Sequence, residues 1–477
     1  MKKNGTIIII LLLLAISIVG YTYWVNRVES QNISVNDDVG VVGDWREKRM
    51  LTLIDSKTGN ILEQKQLYWQ EKLPHLYRHG YRIWYTNSQL SQFLDYETMP
   101  NYDVVAYGRK MNISSTTLGG AHGVITDRNG NIWTWGMNDK NQTGHFGEGD
   151  IARPKMLEVN DTKFTMTSGS IYSSVALDED GNIWTWGSND FGQTGQGTSV
   201  GITEVPTMIN SFIQYIKVMG SGTNFLRNPN KFAIDSQRGR LWSWGSDQGG
   251  KMGTLGSSTR PVFIGLGGVS FLDASAGSEH SLAVDNQGNL WSWGTNTNGA
   301  LGLGEQISFE MEPKRIETGD LRFKAVSARS DHSLALDREG NLWSWGLNTF
   351  SQTGLNIDDE KIYIPTKVDT GDVRFVDIAS GNTHSLAIDE EGQIWSWGNN
   401  ENGRTGHNII PGVTAAPRKI NTGTTRFIYV CAGSNMSMAI DTTGRLWTWG
   451  GGSYYRTGLS TTANRLVPTM NPINIPL

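Results

Sequence analysis

Four histidines, His122, His280, His332 and His384, each stand eleven residues before a tryptophan, and the last three are 52 residues apart. Imidazoles at a fixed interval suggest a metal ring. Zinc, however, needs its ligands to converge at bond lengths of about 2 Å, and ligands carried by separate repeats have no reason to meet. The expectation is that each histidine opens a strand and hydrogen-bonds locally within its own repeat, with no metal bound. "DEDGN" from Asp178 has a trace of a calcium loop but lacks the 12-residue spacing and terminal Glu of an EF-hand; turn chemistry suffices. No G-x-S-x-G, P-loop or dinucleotide fingerprint occurs in context, and "GLGG" from Gly265 is followed by no helix signal. Neither catalytic residues nor cofactors are expected. The single cysteine, Cys431, rules out an intramolecular disulfide and a Cys-based zinc site.

The tryptophans are the other residues that could do chemistry, as a platform for sugars. Their distribution argues for a frame instead. W-x-W-G begins at Trp133, Trp184, Trp242, Trp291, Trp343, Trp395 and Trp447, and the seven motifs consume fourteen of the 18 tryptophans. Their second members are Trp135, Trp186, Trp244, Trp293, Trp345, Trp397 and Trp449. A glycine stands three residues before each first Trp (Gly130 through Gly444) and another nine after each second Trp (Gly144 through Gly458). One proline follows in every repeat, from Pro154 to Pro468. Repetition at intervals of 49 to 58 residues signals a repeat architecture.

The elements that carry these residues follow from parity. In a strand, alternate side chains face opposite sides, so the two tryptophans share one face and Ile/Leu with Thr/Ser share the other. The large-residue face of one copy is expected to pack on the small-residue face of the next copy. "SLAVD" from Ser281 and "SLAID" from Ser385 read as a preceding strand, joined to the W-x-W strand by turns such as "DREGN". About four short strands per repeat make a β-propeller blade. The chain ends on the proline segment "NRLVPTMNPINIP", which is expected to complete the first blade as a clasp and so close the ring.

"AGSEHSLAVDNQGNLWSWGTNTNGALGLG" from Ala276 and "SGNTHSLAIDEEGQIWSWGNNENGRTG" from Ser380 resemble the repeat of the regulator of chromosome condensation family, and the resemblance covers residues 103–477. It implies a seven-bladed propeller that uses loops on one face for protein partners. The family includes a chromatin-bound nucleotide exchange factor for a nuclear small GTPase and secreted bacterial inhibitors of β-lactamase. This chain departs from the nuclear member. It has 41 Lys+Arg against 46 Asp+Glu and a net charge of -5, which argues against phosphate neutralisation and nucleic-acid binding, and its N-terminus is apolar.

Lys2 and Lys3 precede a run from Ile7 to Val25 interrupted by Ser17, Gly20 and Thr22, with Tyr21, Tyr23 and Trp24 at its far end. That length spans roughly 30 Å of hydrocarbon, the aromatics suit an interface, and the lysines orient the N-terminus to the cytoplasm. Residues 1–25 are expected to be an uncleaved anchor, with the propeller outside a bacterial cell; a cleaved signal peptide, giving a secreted protein, is the competing reading. Residues 26–38 form a polar linker. Residues 39–102 form a small β-rich region with a hairpin around Lys57–Asn60 and many aromatics, among them Trp69 and Trp84.

The fold class expected is all-β: a seven-bladed propeller with an N-terminal transmembrane helix and a small β-rich pre-domain. Positions invariant across copies build the frame, and positions that vary are the recognition candidates. One such position lies five residues after each second Trp: Lys140, Phe191, Gly249, Asn298, Phe350, Asn402 and Tyr454, with Tyr455 beside the last. Phe191, Phe350, Tyr454 and Tyr455 are apolar anchors of the sort interfaces use. The function expected is non-catalytic protein binding or scaffolding. Inhibition of a cell-wall or β-lactam-hydrolysing enzyme, binding of cell-wall glycan, and guanine-nucleotide exchange are the alternatives.

Overall fold

The computed structural model describes residues 48–55, 61–68, 81–85, 104–110, 113–127, 129–221, 229–409 and 412–472. The expected membrane span and polar linker lie outside them. Among the described residues no helix is long and apolar enough to cross a membrane. The chain divides into two compact units, 1–111 and 112–477. In the first, β1 (Lys48–Asp55), β2 (Ile61–Tyr68), β3 (Tyr81–Tyr85) and β4 (Val104–Lys110) form one sheet in the order β2-β1-β4-β3. β1 and β2 pair antiparallel, the arrangement of the expected hairpin, while β1 and β4 pair parallel.

The second unit is a seven-bladed β-propeller. Blade one consists of strands Ile113–Leu118, His122–Asp127, Ile132–Gly136 and Ile151–Leu157, here A to D from the innermost outward. The same four-stranded antiparallel meander recurs at 164–208, 215–263, 271–315, 323–367, 375–419 and 427–470. Every blade is built from consecutive strands. This corrects the expected clasp: the C-terminal segment Arg465–Met470 is strand D of blade seven, paired with Leu446–Gly450, and blade one takes all four of its strands from its own repeat. Pro468 is simply the seventh repeat's own proline.

The repeated residues now have physical reasons. Strand D is an unpaired sheet edge. Its proline, Pro154 in blade one, falls where the pairing register with strand C slips; a residue with no N–H is tolerated there and blunts the edge. At the B–C turn, one oxygen of the Asp127 carboxylate accepts the backbone N–H groups of Asn129 and Asn131, both at 2.9 Å. The other oxygen accepts the indole N–H of Trp133 at 3.0 Å. The first tryptophan of every motif is tied this way to the turn aspartate of its own blade, as in Trp395 to Asp389 (2.7 Å) and Trp447 to Asp441 (2.9 Å). Burial alone would raise the carboxyl of Asp441; hydrogen bonds from Thr443, Trp447 and Arg445 outweigh it and hold its pKa low.

The second tryptophan is fully buried in every blade and faces the preceding blade. Trp397 packs on Leu334, Leu336 and Leu342 of blade five, and Trp186 on Val124 and Ile132 of blade one. Large and small faces do interlock, but the expected direction is corrected: each tryptophan face packs on the preceding blade and not on the next copy. The indole N–H also donates to a backbone carbonyl in the preceding blade's C–D loop: Trp186 to Gln142 at 2.9 Å, Trp345 to Ala300 at 2.8 Å. The glycine nine residues after the second Trp stands under the following blade's indole: a Cβ on Gly354 would lie 2.8 Å from Trp397, and φ there is +73°. Both indole nitrogens are thus committed within the frame.

Candidate functional site

The meander places the A–B and C–D loops of every blade at one end of the ring and the B–C turns at the other. The invariant residues anchor the C–D loops from beneath. Thr134 Oγ1 donates to the Thr143 carbonyl within blade one at 2.8 Å, and Ser174 Oγ and the Trp186 indole of blade two both donate to the Gln142 carbonyl. Each loop is therefore fixed by its own blade and by the next.

The histidines complete this arrangement, and here the structure corrects the sequence reading. They do not bond within their own blade. His122 Nε2 meets Ser174 Oγ of blade two at 2.9 Å; His280, His332 and His384 meet Ser333, Ser385 and Ser437 of the following blades at 3.0, 2.9 and 2.9 Å. Since each serine hydroxyl donates to a loop carbonyl, the imidazole Nε2–H donates to the hydroxyl oxygen. Nδ1 of His122, His332 and His384 has no hydrogen-bond partner. Burial pushes the pKa of His122, His280 and His332 down to about 3. Among the described residues no group of three His, Cys, Asp or Glu side chains is placed to hold a metal.

The varying positions ride on this frame. Phe191 and Phe350 are 41 % exposed and Tyr454 is 47 % exposed; Lys140, Asn298, Asn402 and Tyr455 are partly exposed. Six of the seven C–D turns take one of two forms. In blades one, two and five the backbone N–H of Lys140, Phe191 and Phe350 donates to the side chain of Gln142, Gln193 and Gln352. In blades three, six and seven a short 3-10 turn puts Gly249, Asn402 and Tyr454 in the left-handed region, with φ of 77°, 63° and 59°. Tyr455 is left-handed as well, φ 53°. Asn402 accepts from Asn464 of blade seven's loop at 3.0 Å. Tyr454 receives Arg456 over its ring at 5.6 Å and influences the Tyr172 phenol, which burial and then the charges of Asp139 and Tyr454 hold above its usual range. Loops of blades six and seven therefore meet, and Asn298 lies with Glu279 and Asp331 in a shallow depression formed by blades four and five.

Two features of this end escaped the sequence reading. Phe146, 58 % exposed, sits in blade one's C–D loop outside the repeat frame. Arg329 stands three residues before His332, where the other His-bearing repeats have Gly119, Gly277 and Gly381. Its buried guanidinium crosses the ring mouth, donating to the carbonyls of Leu118 and Gly119 in blade one (both 3.0 Å), Ala432 in blade seven (3.4 Å) and the side chain of Asn382 in blade six (3.2 Å). The break in the glycine pattern was the available signal.

Consecutive blades, a committed tryptophan frame and variable loops gathered at one end define a seven-bladed β-propeller. The RCC1-like domain model matches residues 230–475, and models of the regulator of chromosome condensation (RCC1) repeat match 166–193 and 180–225; the chain belongs to the RCC1-like domain family. It is 27% identical over 384 residues to the ultraviolet-B receptor UVR8 of Arabidopsis thaliana, covering 78% of this chain and 84% of that protein. It is 26% identical over 389 residues to the regulator of chromosome condensation of Homo sapiens, covering 75% and 87%. The match to the E3 ubiquitin-protein ligase HERC2 of Mus musculus, 26% over 347 residues, takes in 71% of this chain but spans only 7% of that protein. Among solved structures, human WBSCR16 superposes with a TM-score of 0.64 at 17% identity, over 72% of this chain and 94% of that one. Prp20p from Saccharomyces cerevisiae gives 0.61 at 23%, over 68% and 81%. Both share the fold.

Proposed function

We propose that this protein is a non-catalytic protein-binding propeller, anchored in the cell membrane by residues 7–25 with the ring outside the cell, and that it engages its partner through the loop face. The observation that carries this reading is the division of labour within each repeat. Tryptophans, histidines and glycines are consumed by the frame, whereas the loops above them differ from blade to blade and expose Phe146, Phe191, Phe350 and Tyr454. Exposed aromatics on a rigid support are the usual anchors of interfaces, and loops on a scaffold commonly carry function. Relatives support a protein partner. The Prp20p structure is described with that protein's binding to Gsp1p and histones, and Prp20 has also been solved bound to Kap60.

The test is affinity capture with the full chain in detergent, set against a variant with Phe191, Phe350, Tyr454 and Tyr455 all changed to Ser. Loss of one retained protein in the variant supports the loop face; unchanged retention refutes it. Protease treatment of intact cells tests the topology, since a propeller that resists digestion lies inside.

A further inference from the structure

The end of the ring opposite the loop face gathers the B–C turns and the six links that run from strand D of one blade to strand A of the next. Four of those links are charged. Residues 157–164 carry Glu158, Asp161 and Lys163, and 315–323, 367–375 and 419–427 each begin on Arg or Lys and carry an Arg before the final Phe. The other two depart from that pattern. Residues 205–216, leading from blade two to blade three, and 261–272, leading from blade three to blade four, contain no Asp, Glu, Lys or Arg. They expose apolar side chains instead: Phe212 fully, and Met208, Ile216, Phe263 and Leu272 by 39–59 %. The two links are neighbours. Met208 and Phe263 end strands D of adjacent blades, where they pair with Trp184 and Trp242. Ile216 and Leu272 stand second in adjacent strands A, and the residues that follow them, Lys217 and Asp273, bond at 2.5 Å. Charges at the edge of this patch are matched: Lys217 with Asp273, and Arg240 with Asp235 at 2.6 Å, the Arg240 guanidinium lying 5.7 Å over the Phe263 ring. Glu179, Asp180 and Arg238 flank it on the B–C turns.

Scattered exposed apolar residues need no account, but an uncharged group of them on two neighbouring links marks a surface that is covered in use. The place where the chain enters the ring says by what. Strand A of blade one begins at Ile113, at this same end. The segment that contains the apolar run Ile7–Val25 therefore joins the ring at the end that bears the patch. Resting on the reading of that run as a membrane anchor, we propose that the patch docks on the surface of the bilayer that holds the anchor, with Phe212 inserted among the lipid headgroups. An apolar protein face beds roughly 5–10 Å into the boundary between headgroups and acyl chains. Side chains with no charge to desolvate suit that depth, and the matched ion pairs remain at the rim. A protein partner would instead look for polar and charged groups around the apolar centre, and those at this edge are already engaged with one another. A ring seated in this way turns its loop face away from the bilayer.

The test labels the full chain at single introduced cysteines with an environment-sensitive fluorophore. The native Cys431 is buried, and wild type carried through the same labelling measures its background. Asn210→Cys reports the patch, Thr349→Cys the loop face and Ala15→Cys the anchor run, in vesicles of phosphatidylcholine with and without doxyl-labelled phosphatidylcholine. Emission quenched about twofold or more by the doxyl lipid at 15 and 210 and unchanged at 349 supports the proposal, as does loss of the quenching at 210 when Phe212→Asp is added. Quenching at 15 alone overturns the docking and leaves the anchor standing; quenching at 210 alone upholds the docking and overturns the anchor; quenching at neither overturns both. Equal quenching at 210 and 349 overturns the proposal, because the ring then adheres without orientation. Quenching at 210 that survives Phe212→Asp overturns the role given to Phe212. A blue shift at 210 without lipid quenching overturns the lipid occupant in favour of a second copy of the chain.

Discussion

At the scale of single residues, the serine that receives each histidine has the largest role for its size. Ser385 Oγ accepts from His332 and donates to the Gln352 carbonyl, which also takes the Trp397 indole. Ser385→Ala leaves a buried imidazole N–H without an acceptor, a loss of about 2 kcal/mol readable in urea denaturation. The histidines also set the acid limit. They are neutral in the folded ring, with values of about 3 for His122, His280 and His332, and take up a proton on unfolding near pH 6.5. Their contribution is complete above about pH 6.5 and is lost as pH falls toward 3, at about 1.4 kcal/mol per unit per histidine. Melting temperature should fall through that window. A His280→Met/His332→Met variant, which copies the Met436 that blade seven has at the same place, should flatten the slope. Lys231 acts at the other end of the scale. Buried, its ammonium donates to Ser170 Oγ at 2.8 Å, and burial depresses its pKa to about 7. Stability should therefore rise from pH 7 toward 10.5, and Lys231→Ser, the residue other blades use, should abolish that rise.

At the scale of the element, the two kinds of glycine separate cleanly. Gly371 has φ of +59° with nothing near a Cβ, whereas Gly354 combines φ of +73° with the Trp397 indole at 2.8 Å. Gly371→Ala should cost about 1 kcal/mol for the left-handed backbone alone; Gly354→Ala should cost that and a further ~1–3 kcal/mol of overpacking. Differential scanning calorimetry of the pair would separate backbone strain from crowding. This element level is where the sequence was most legible. Seven copies of a hairpin with fixed parity gave strands B and C almost residue by residue, and the proline marked strand D. Direction was not legible: parity says that the faces of neighbouring copies interlock but not whether a blade leans on the one before or after it. For the same reason the histidines were assigned to their own blades, since a 52-residue period carries no record of which copy a side chain reaches.

At the scale of the whole molecule, the clasp failed because strand counting treats the last proline segment as spare, whereas each repeat simply includes its own outer strand. Blades seven and one are instead joined by side chains and a loop contact. The Trp135 indole donates to the Arg456 carbonyl at 2.8 Å, Cys431 Sγ accepts from the Leu118 N–H at 3.2 Å, and Ser460 N–H donates to the Ala152 carbonyl at 3.0 Å. No His–Ser pair exists there, since Met436 stands in the histidine's place and Gly123 in the serine's. Arg329 reaches this junction from blade five. Arg329→Met strands the buried Leu118 and Gly119 carbonyls and should cost about 2–3 kcal/mol, with hydrogen exchange rising first in blades one and seven. Truncation after Leu459 removes one strand and one junction contact and should loosen blade seven well before the rest. The loop face was half legible: variability flagged the C–D positions, but the bridge from Arg329 of blade five to blades one and seven joins segments far apart in sequence, which only the closed ring brings together.

The backward lean of the tryptophans gives synthesis a direction. As the chain leaves the ribosome, each new blade finds its docking surface already made, because its indole donates to a loop that has emerged before it. Blade one alone has no predecessor. Its tryptophan face finds no blade to pack on until the seventh arrives, so that apolar surface, unlike the leading face that each new blade covers in turn, persists throughout translation, the kind of surface that invites misassembly or a chaperone.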